Sequence, residues 1–61
     1  MSERELEVLR LIVAGSSNRE IAARLFIEVS TVKWHINALY GKLQVGSRTK
    51  AIARARELNI V

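Results

Sequence analysis

The chain has 61 residues, of which 49% are hydrophobic and 26% charged, a balance typical of one small folded domain. It contains no cysteine and one histidine, which excludes disulfides, thiolate metal sites and histidine-based metal clusters. No apolar run approaches the ~20 residues that span a bilayer, and no signal segment opens the chain. We therefore expect a single soluble, cytoplasmic domain over residues 1–61 that binds no cofactor and no membrane.

Positive charge is in excess, because ten Lys and Arg residues face six Asp and Glu residues, giving a net charge of +4. Such a balance favours a polyanionic partner such as nucleic acid. The excess is concentrated after position 41, where Glu57 stands alone against five cations: Lys42, Arg48, Lys50, Arg54 and Arg56. This basic half is where we expect a polyanion to bind.

The first half predicts two helices, over about residues 3–14 and 18–25, each opened by a capping box. The boxes pair Ser2 with Glu5 and Ser17 with Glu20, and Gly15 closes the first helix. Apolar residues at helical spacing predict the buried faces: Leu6, Leu9, Ile12 and Val13, then Ile21, Ala22 and Leu25.

The second half predicts two more helices, over about residues 30–43 and 48–58. Ser30 or Thr31 caps the first of them and Ser47 the second. Their predicted core positions are Val32, Ile36, Leu39 and Leu43, then Ala51, Ile52, Ala55 and Leu58. The fold class is therefore all-α, a compact four-helix domain.

The second helix, a connection of about four residues and the third helix have the lengths of a helix-turn-helix. We interpret the connection as a turn in which Ile27 points inward; a short strand is the alternative. The outer face of the third helix carries Lys33, Trp34 and Asn37. Lysine can donate to guanine, asparagine can pair with adenine, and an apolar surface can pack on a thymine methyl. This pattern predicts base recognition in the major groove.

Essentially the whole chain of 61 residues resembles the LuxR-type helix-turn-helix domain, the output module of the LuxR, NarL and FixJ transcription regulators. The resemblance starts at Glu3–Leu9 and continues through these positions: Gly15, Asn18, Ile21, Ala22, Leu25, Ser30–Lys33, His35, Lys42, Leu43, Ser47, Arg48 and Ala51. The segments Val32–Ile36 and Arg54–Leu58 are most similar to members with a large ATP-binding regulatory half. The implied function is sequence-specific binding of double-stranded DNA as the output domain of a bacterial transcription regulator.

The resemblance also implies roles for individual residues. Lys33, Trp34 and Asn37 match the base-reading positions. Asn18, Arg19, Ser30 and Thr31 match positions that approach backbone phosphates. His35 either borders the phosphates or packs against the first helix.

Self-association on DNA is implied for the fourth helix. Thr49, Ala53 and Arg56 match the face through which domains of this family pair as a homodimer. Arg56 departs from the small or apolar residue expected there, and two facing copies would repel unless each found an acidic partner such as Glu57. RNA polymerase is a further candidate partner.

Plainer interpretations stay open for several of these side chains. Lys33 and Asn37 could simply be solvated, and Trp34 could fill the core. Arg48, Lys50 and Arg54 are more typical of a solvated helix face than of specific contacts.

Two other functions compete with a dimeric DNA-binding regulator. One is a promoter-recognition module like region 4 of a sigma factor, which would not need the fourth helix. The other is a helical protein-interaction module, which leaves the outer face of the third helix unexplained. We expect no enzyme, because the chain has no Cys, no Asp, one His and no Gly-rich phosphate loop.

Overall fold

The computed structural model describes residues 1–60, which form four α-helices. In chain order the helices are α1 (Glu3–Val13), α2 (Asn18–Leu25), α3 (Val29–Leu43) and α4 (Arg48–Glu57). Residues 1–60 contain no strand, so the connection between α2 and α3 is a turn. The predicted all-α class is confirmed, while Val61, the end of the predicted domain, lies outside the described residues.

Both predicted capping boxes are formed. The Ser2 hydroxyl accepts from the Glu5 amide at 3.1 Å, and the Ser2 amide donates to the Glu5 carboxylate at 2.8 Å. In the second box, the Ser17 hydroxyl accepts from the Glu20 amide at 3.1 Å, and the Ser17 amide donates to the Glu20 carboxylate at 2.7 Å. Each box satisfies backbone N–H groups that have no partner inside the helix, which fixes where α1 and α2 begin.

The start of α3 differs from the prediction. Phe26 ends α2 in the left-handed region with φ 56°, and the N-cap of α3 is Glu28, which makes no side-chain cap hydrogen bond. Ser30 and Thr31 therefore lie inside the first turn, and the prediction that one of them caps the helix is wrong. The left-handed residue reverses the chain within so short a turn that α3 starts before either hydroxyl can act as a cap.

One hydrophobic core is shared by all four helices. Its buried members are Val8, Leu9, Ile12, Ile21, Ala22, Val32, Ile36, Leu39, Leu43, Ala51 and Ala55. The predicted α3 stripe is confirmed in full. In α1, however, the buried face is centred on Val8, which is completely buried, while the predicted Leu6 is only half-buried.

The C-terminal end of α4 also departs from the prediction. Leu58 was expected in the core but is 48% exposed, because α4 ends at Glu57 and the chain reverses at Asn59 with φ 56°. That reversal lets Ile60 pack against the core in its place.

Helices α1 and α3 each pack against the other three helices. This central position buries one face of α3 and leaves the opposite face free for a partner.

An ion pair joins the start of α1 to the end of α3. Lys42 Nζ lies 2.6 Å from Glu5 Oε1, and the Glu5 side chain is 7% exposed. The hydrogen bond from Lys42 is the main cause that lowers the pKa of Glu5 from 4.5 to about 2, helped by the backbone N–H of Ser2. In the sequence, Glu5 belongs to a capping box and Lys42 to the basic half, and no local pattern connects the two residues.

Candidate nucleic-acid interface

The free face of α3 brings together the side chains predicted to read bases. Lys33, Trp34 and Asn37 are all exposed, on the opposite side of α3 from its buried stripe. Trp34 is 68% exposed, so it is not a core residue. A basic, an aromatic and an amide side chain thus share one solvent-facing surface within five residues.

His35 lies at the border between this face and the core. It is half-buried, and its ring meets that of Trp34 edge-on with centroids 5.1 Å apart and an interplanar angle of 69°. Its Nδ1 atom is buried and has no hydrogen-bond partner within residues 1–60. A phosphate contact by His35 stays a prediction.

The entrance to α3 combines polar and acidic groups. Ser30 is exposed and Thr31 half-buried, and the Ser30 hydroxyl donates to the Glu28 carboxylate at 3.5 Å. Since Glu28 does not cap the helix, the first amides of α3 have no acceptor from the N-cap side chain. The Glu28 carboxylate places a negative charge beside the Ser30 hydroxyl, one of the two predicted to approach phosphate.

At the start of α2, a third side chain joins the two that the sequence predicted. Arg48, the first residue of α4, donates from Nη1 to Asn18 Oδ1 at 2.9 Å and from Nη2 to the carbonyl oxygen of Ser16. Arg19 beside it is exposed. The interpretation of Arg48 as part of a solvated face is therefore wrong, because its guanidinium bridges α4 to the α1–α2 connection.

The sequence did hold one signal for this contact. A cation in the first turn of a helix lies at the positive end of the helix dipole, where it is unfavourable without another partner. Arg48 occupies that position, which points to acceptors elsewhere in the chain. Arg48 also lines an open hollow of about 480 Å³, together with Gly15, Ser16, Ser17, Asn18 and Arg19.

Much of the predicted basic half is already paired within the domain. Lys42 pairs with Glu5, Arg48 is held by Asn18 and Ser16, and Arg54 Nη1 lies 3.1 Å from Glu57 Oε2. Two cations of this half, Lys50 and Arg56, form no ion pair within residues 1–60. Within residues 1–60, exposed cations without an ion pair therefore lie on all four helices: Arg10, Arg19, Arg24, Lys33, Lys50 and Arg56.

The predicted pairing face of α4 is open to solvent. Thr49, Ala53 and Arg56 are all exposed, while Ala51 and Ala55 on the other side of the helix are buried. The Glu57 carboxylate contacts Arg54, and within residues 1–60 Arg56 has no acidic partner.

Two other kinds of feature are absent from residues 1–60. No three His, Cys, Asp or Glu side chains there are grouped closely enough to hold a metal ion. None of the helices in that range combines the length and the apolar character needed to cross a membrane.

Comparison with known protein families gives one match over most of the chain. The GerE family model, described as bacterial regulatory proteins of the luxR family, matches residues 1–55. This confirms the family resemblance, whose residues run from Glu3–Leu9 to Ala51.

Curated relatives and a solved structure agree with this match. The response regulator protein VraR is 43% identical over all 61 residues in Staphylococcus aureus strain Mu3 and in Staphylococcus epidermidis strain RP62A, and the chain spans 29% of each. A crystal structure of the response regulator ChrA, from a heme-sensing two-component system, superposes with a TM-score of 0.94 at 47% identity. That alignment covers 98% of this chain and 30% of ChrA.

These relatives bear on the finer placement of the chain. They are named as response regulators, so the similarity to members with a large ATP-binding half stays a prediction. The chain spans less than a third of the length of the relatives it matches.

Proposed function

We propose that this chain, which belongs to the luxR family of bacterial regulatory proteins, reads DNA sequence with α3 in the major groove. The observation that carries the proposal is the division of α3 into two faces. Val32, Ile36, Leu39 and Leu43 are buried on one face, while Lys33, Trp34 and Asn37 are exposed on the other. An exposed tryptophan beside a lysine and an asparagine has little value for folding, but it suits a base-reading surface.

Each of the three side chains has a distinct task in this proposal. Lys33 donates to the O6 and N7 acceptors of guanine, and Asn37 forms paired hydrogen bonds with adenine. The Trp34 ring packs on a thymine methyl group, and its edge contact with His35 supports its orientation.

Backbone contacts then set the register of α3 in the groove. We assign them to Asn18 and Arg19 at the start of α2 and to Ser30, Thr31 and His35 on α3. The exposed Arg19 supplies the positive charge of this set, which makes affinity depend on salt.

Pairing of two domains through α4 would place two α3 helices on inverted half-sites about one helical turn apart, ~10 base pairs. Thr49, Ala53 and Arg56 form the proposed contact face. The presence of α4 itself favours this arrangement over a sigma-like module, which would read a single element.

The longer relatives support a wider proposal. We propose that residues 1–61 are the DNA-binding output domain of a cytoplasmic transcription regulator, with RNA polymerase as a candidate partner on the promoter. No catalytic step is assigned to the domain.

Selection of bound duplexes from a random-sequence library tests the proposal. The wild-type domain is compared with Lys33→Ala, Asn37→Ala and the control Lys50→Ala, which removes the same charge from α4. We expect an inverted-repeat motif that loses information at a defined position in each half-site for Lys33→Ala and Asn37→Ala. The motif should be unchanged for Lys50→Ala, whose only effect is on overall affinity.

Three other outcomes would count against the proposal in different ways. A single unrepeated element would favour the sigma-like alternative. Binding that follows salt without any enriched sequence would reduce the basic surface to a nonspecific footprint. Failure to bind any duplex at low salt would leave the protein-interaction module as the better explanation.

A further inference from the structure

Arg48 connects two elements that do not otherwise pack together as helices. It is the first residue of α4, and its two hydrogen bonds reach the first residue of α2, Asn18, and the carbonyl of Ser16 in the α1–α2 connection. The residues that it joins are 30 and 32 positions away in sequence. Such a long-range contact fixes the start of α2 relative to α4.

The chemistry of this contact determines which way the Asn18 amide points. Arginine has five N–H donors and no acceptor, so only the oxygen of the Asn18 amide can face it. In the structure this partner is Oδ1, which lies 2.9 Å from Arg48 Nη1. The amide nitrogen, with its two N–H donors, is therefore directed away from the guanidinium, and within residues 1–60 it has no hydrogen-bond acceptor.

Without Arg48, nothing in the described chain would select this orientation. A free asparagine amide can turn over and present its oxygen, and an amide oxygen repels a phosphate instead of binding it. The guanidinium removes this alternative.

We propose that Arg48 is a positioning residue for DNA binding, which orients the Asn18 amide so that its N–H donors face a backbone phosphate. The proposal rests on the proposed function, since it deepens the role given there to Asn18. Arg48 acts through Asn18 and is not itself assigned a base or phosphate contact.

A double-mutant cycle on affinity tests the proposal. Asn18→Ala, Arg48→Ala and the double variant are titrated against a mixed-sequence duplex and against the duplex most enriched by selection, at one fixed salt concentration. Loss of a hydrogen bond to a charged group predicts affinity reduced by about tenfold for each single variant. We expect the double variant to bind no more weakly than either single variant, because both changes remove the same contact.

Two comparisons separate positioning from loss of charge or loss of structure. Lys50→Ala removes an exposed cation from the same helix and should change affinity much less than Arg48→Ala does. Asn18→Asp keeps an oxygen for Arg48 but has no N–H donor. It should therefore leave the midpoint of urea unfolding unchanged or higher, yet bind DNA more weakly than Asn18→Ala.

Several results would overturn the inference. The inference fails if the losses of DNA affinity in Asn18→Ala and Arg48→Ala multiply in the double variant. It also fails if Asn18→Asp binds DNA as tightly as the wild type. If Arg48→Ala is not fully folded by circular dichroism at the titration temperature, Arg48→Lys replaces it in the cycle, because lysine keeps the charge but cannot donate to both Asn18 and Ser16 from one planar group.

The failure of this inference is distinguishable from that of the proposed function. If the wild type selects a motif that Lys33→Ala alters, while the Asn18 and Arg48 variants bind like the wild type, only the positioning role is lost. If the wild type binds no duplex, the proposed function fails first.

Discussion

Glu5 is the side chain whose ionisation the fold controls most strongly. Its pKa lies at about 2 instead of 4.5, chiefly because Lys42 donates a hydrogen bond to the carboxylate. The unfolded chain therefore takes up a proton at a higher pH than the folded chain does. The stabilising contribution of Glu5 is complete above about pH 4.5 and is lost as the pH falls towards 2.

We accordingly expect the free energy of unfolding to decrease as the pH is lowered from about 4.5 to 2, and to decrease less steeply in Glu5→Gln. Glutamine can still complete the capping box with Ser2, so the change isolates the ionic contact. Urea unfolding followed by circular dichroism at a series of pH values measures this slope. Some slope will remain, because the pKa of Glu20 is also lowered by its hydrogen bonds with Ser17.

Glu7→Gln is the matched control, since Glu7 is exposed on the same helix and its Oε2 lies 4.0 Å from Arg4 Nη1. It should reproduce the wild-type slope. If Glu5→Gln and wild type showed the same pH dependence, the ion pair with Lys42 would have no role in acid stability.

Two glycines should respond in opposite directions to the same substitution. Gly15 has φ +94°, a conformation that alanine adopts only with strain, although no atom lies within 4 Å of the added Cβ. Gly41 lies within α3 and also has open space around it. We expect Gly15→Ala to destabilise the domain by about 1 kcal/mol or more and Gly41→Ala to stabilise it by about 0.5–1 kcal/mol. Thermal unfolding of both variants checks the signs; equal signs would contradict the explanation.

At the scale of the helix, the difference between a cap and a first-turn residue is testable. Ser17 caps α2 and accepts from the Glu20 amide, whereas Ser30 lies inside α3 and caps nothing. Ser17→Ala should therefore reduce the free energy of unfolding by about 1 kcal/mol. Ser30→Ala should change it by less than about 0.5 kcal/mol. A comparable loss for Ser30→Ala in chemical denaturation would restore the original prediction of an α3 cap.

The sequence was sufficient to predict the elements that are specified by short-range signals. The starts of α1 and α2 follow from capping boxes, which involve residues three positions apart. The two faces of α3 follow from helical periodicity, which placed Val32 inside and Lys33 outside. The α3 start was missed because hydroxyls at Ser30 and Thr31 imitate a cap, while the true N-cap, Glu28, makes no cap hydrogen bond.

What the sequence did not show depends on contacts between distant residues. Lys42 and Glu5 are 37 positions apart, and Arg48 and Asn18 are 30 apart, so no local pattern connects them. Val8 is buried because α1 packs against three helices, which widens its buried face beyond a single stripe. Leu58 had the spacing of a core residue, but the chain turned before it could reach the core.

In the molecule as a whole, α3 and α4 each have an exposed face, so the two helices can contact different partners. The radius of gyration is 10.4 Å, close to the ~10.5 Å expected for a folded chain of this length. A domain of this size hides only about 60% of its unfolded surface, so we expect DNA binding or self-association to raise its stability by mass action.

Self-association should be limited by charge on the α4 face. Arg56 has no ion pair within residues 1–60, since Glu57 is held by Arg54. Two arginines facing each other at about 4 Å would repel by about 1 kcal/mol if water screened them fully, and by more at a drier interface. We therefore expect Arg56→Ala to tighten dimerisation about fivefold, measured by sedimentation equilibrium at low salt. Arg10→Ala, an exposed arginine on α1, is the control. Equal dimerisation of the wild type and Arg56→Ala would place the contact elsewhere.

The ion pair between Lys42 and Glu5 also has a consequence for the order of folding. The ion pair joins residues 37 positions apart. Closing such a loop costs more chain entropy than forming a helix or a contact between helices that are adjacent in sequence. The pair should therefore form after the transition state. Lys42→Met would then accelerate unfolding and leave refolding nearly unchanged in stopped-flow measurements. In that case the ion pair between the start of α1 and the end of α3 governs the lifetime of the folded domain and not the rate of its formation.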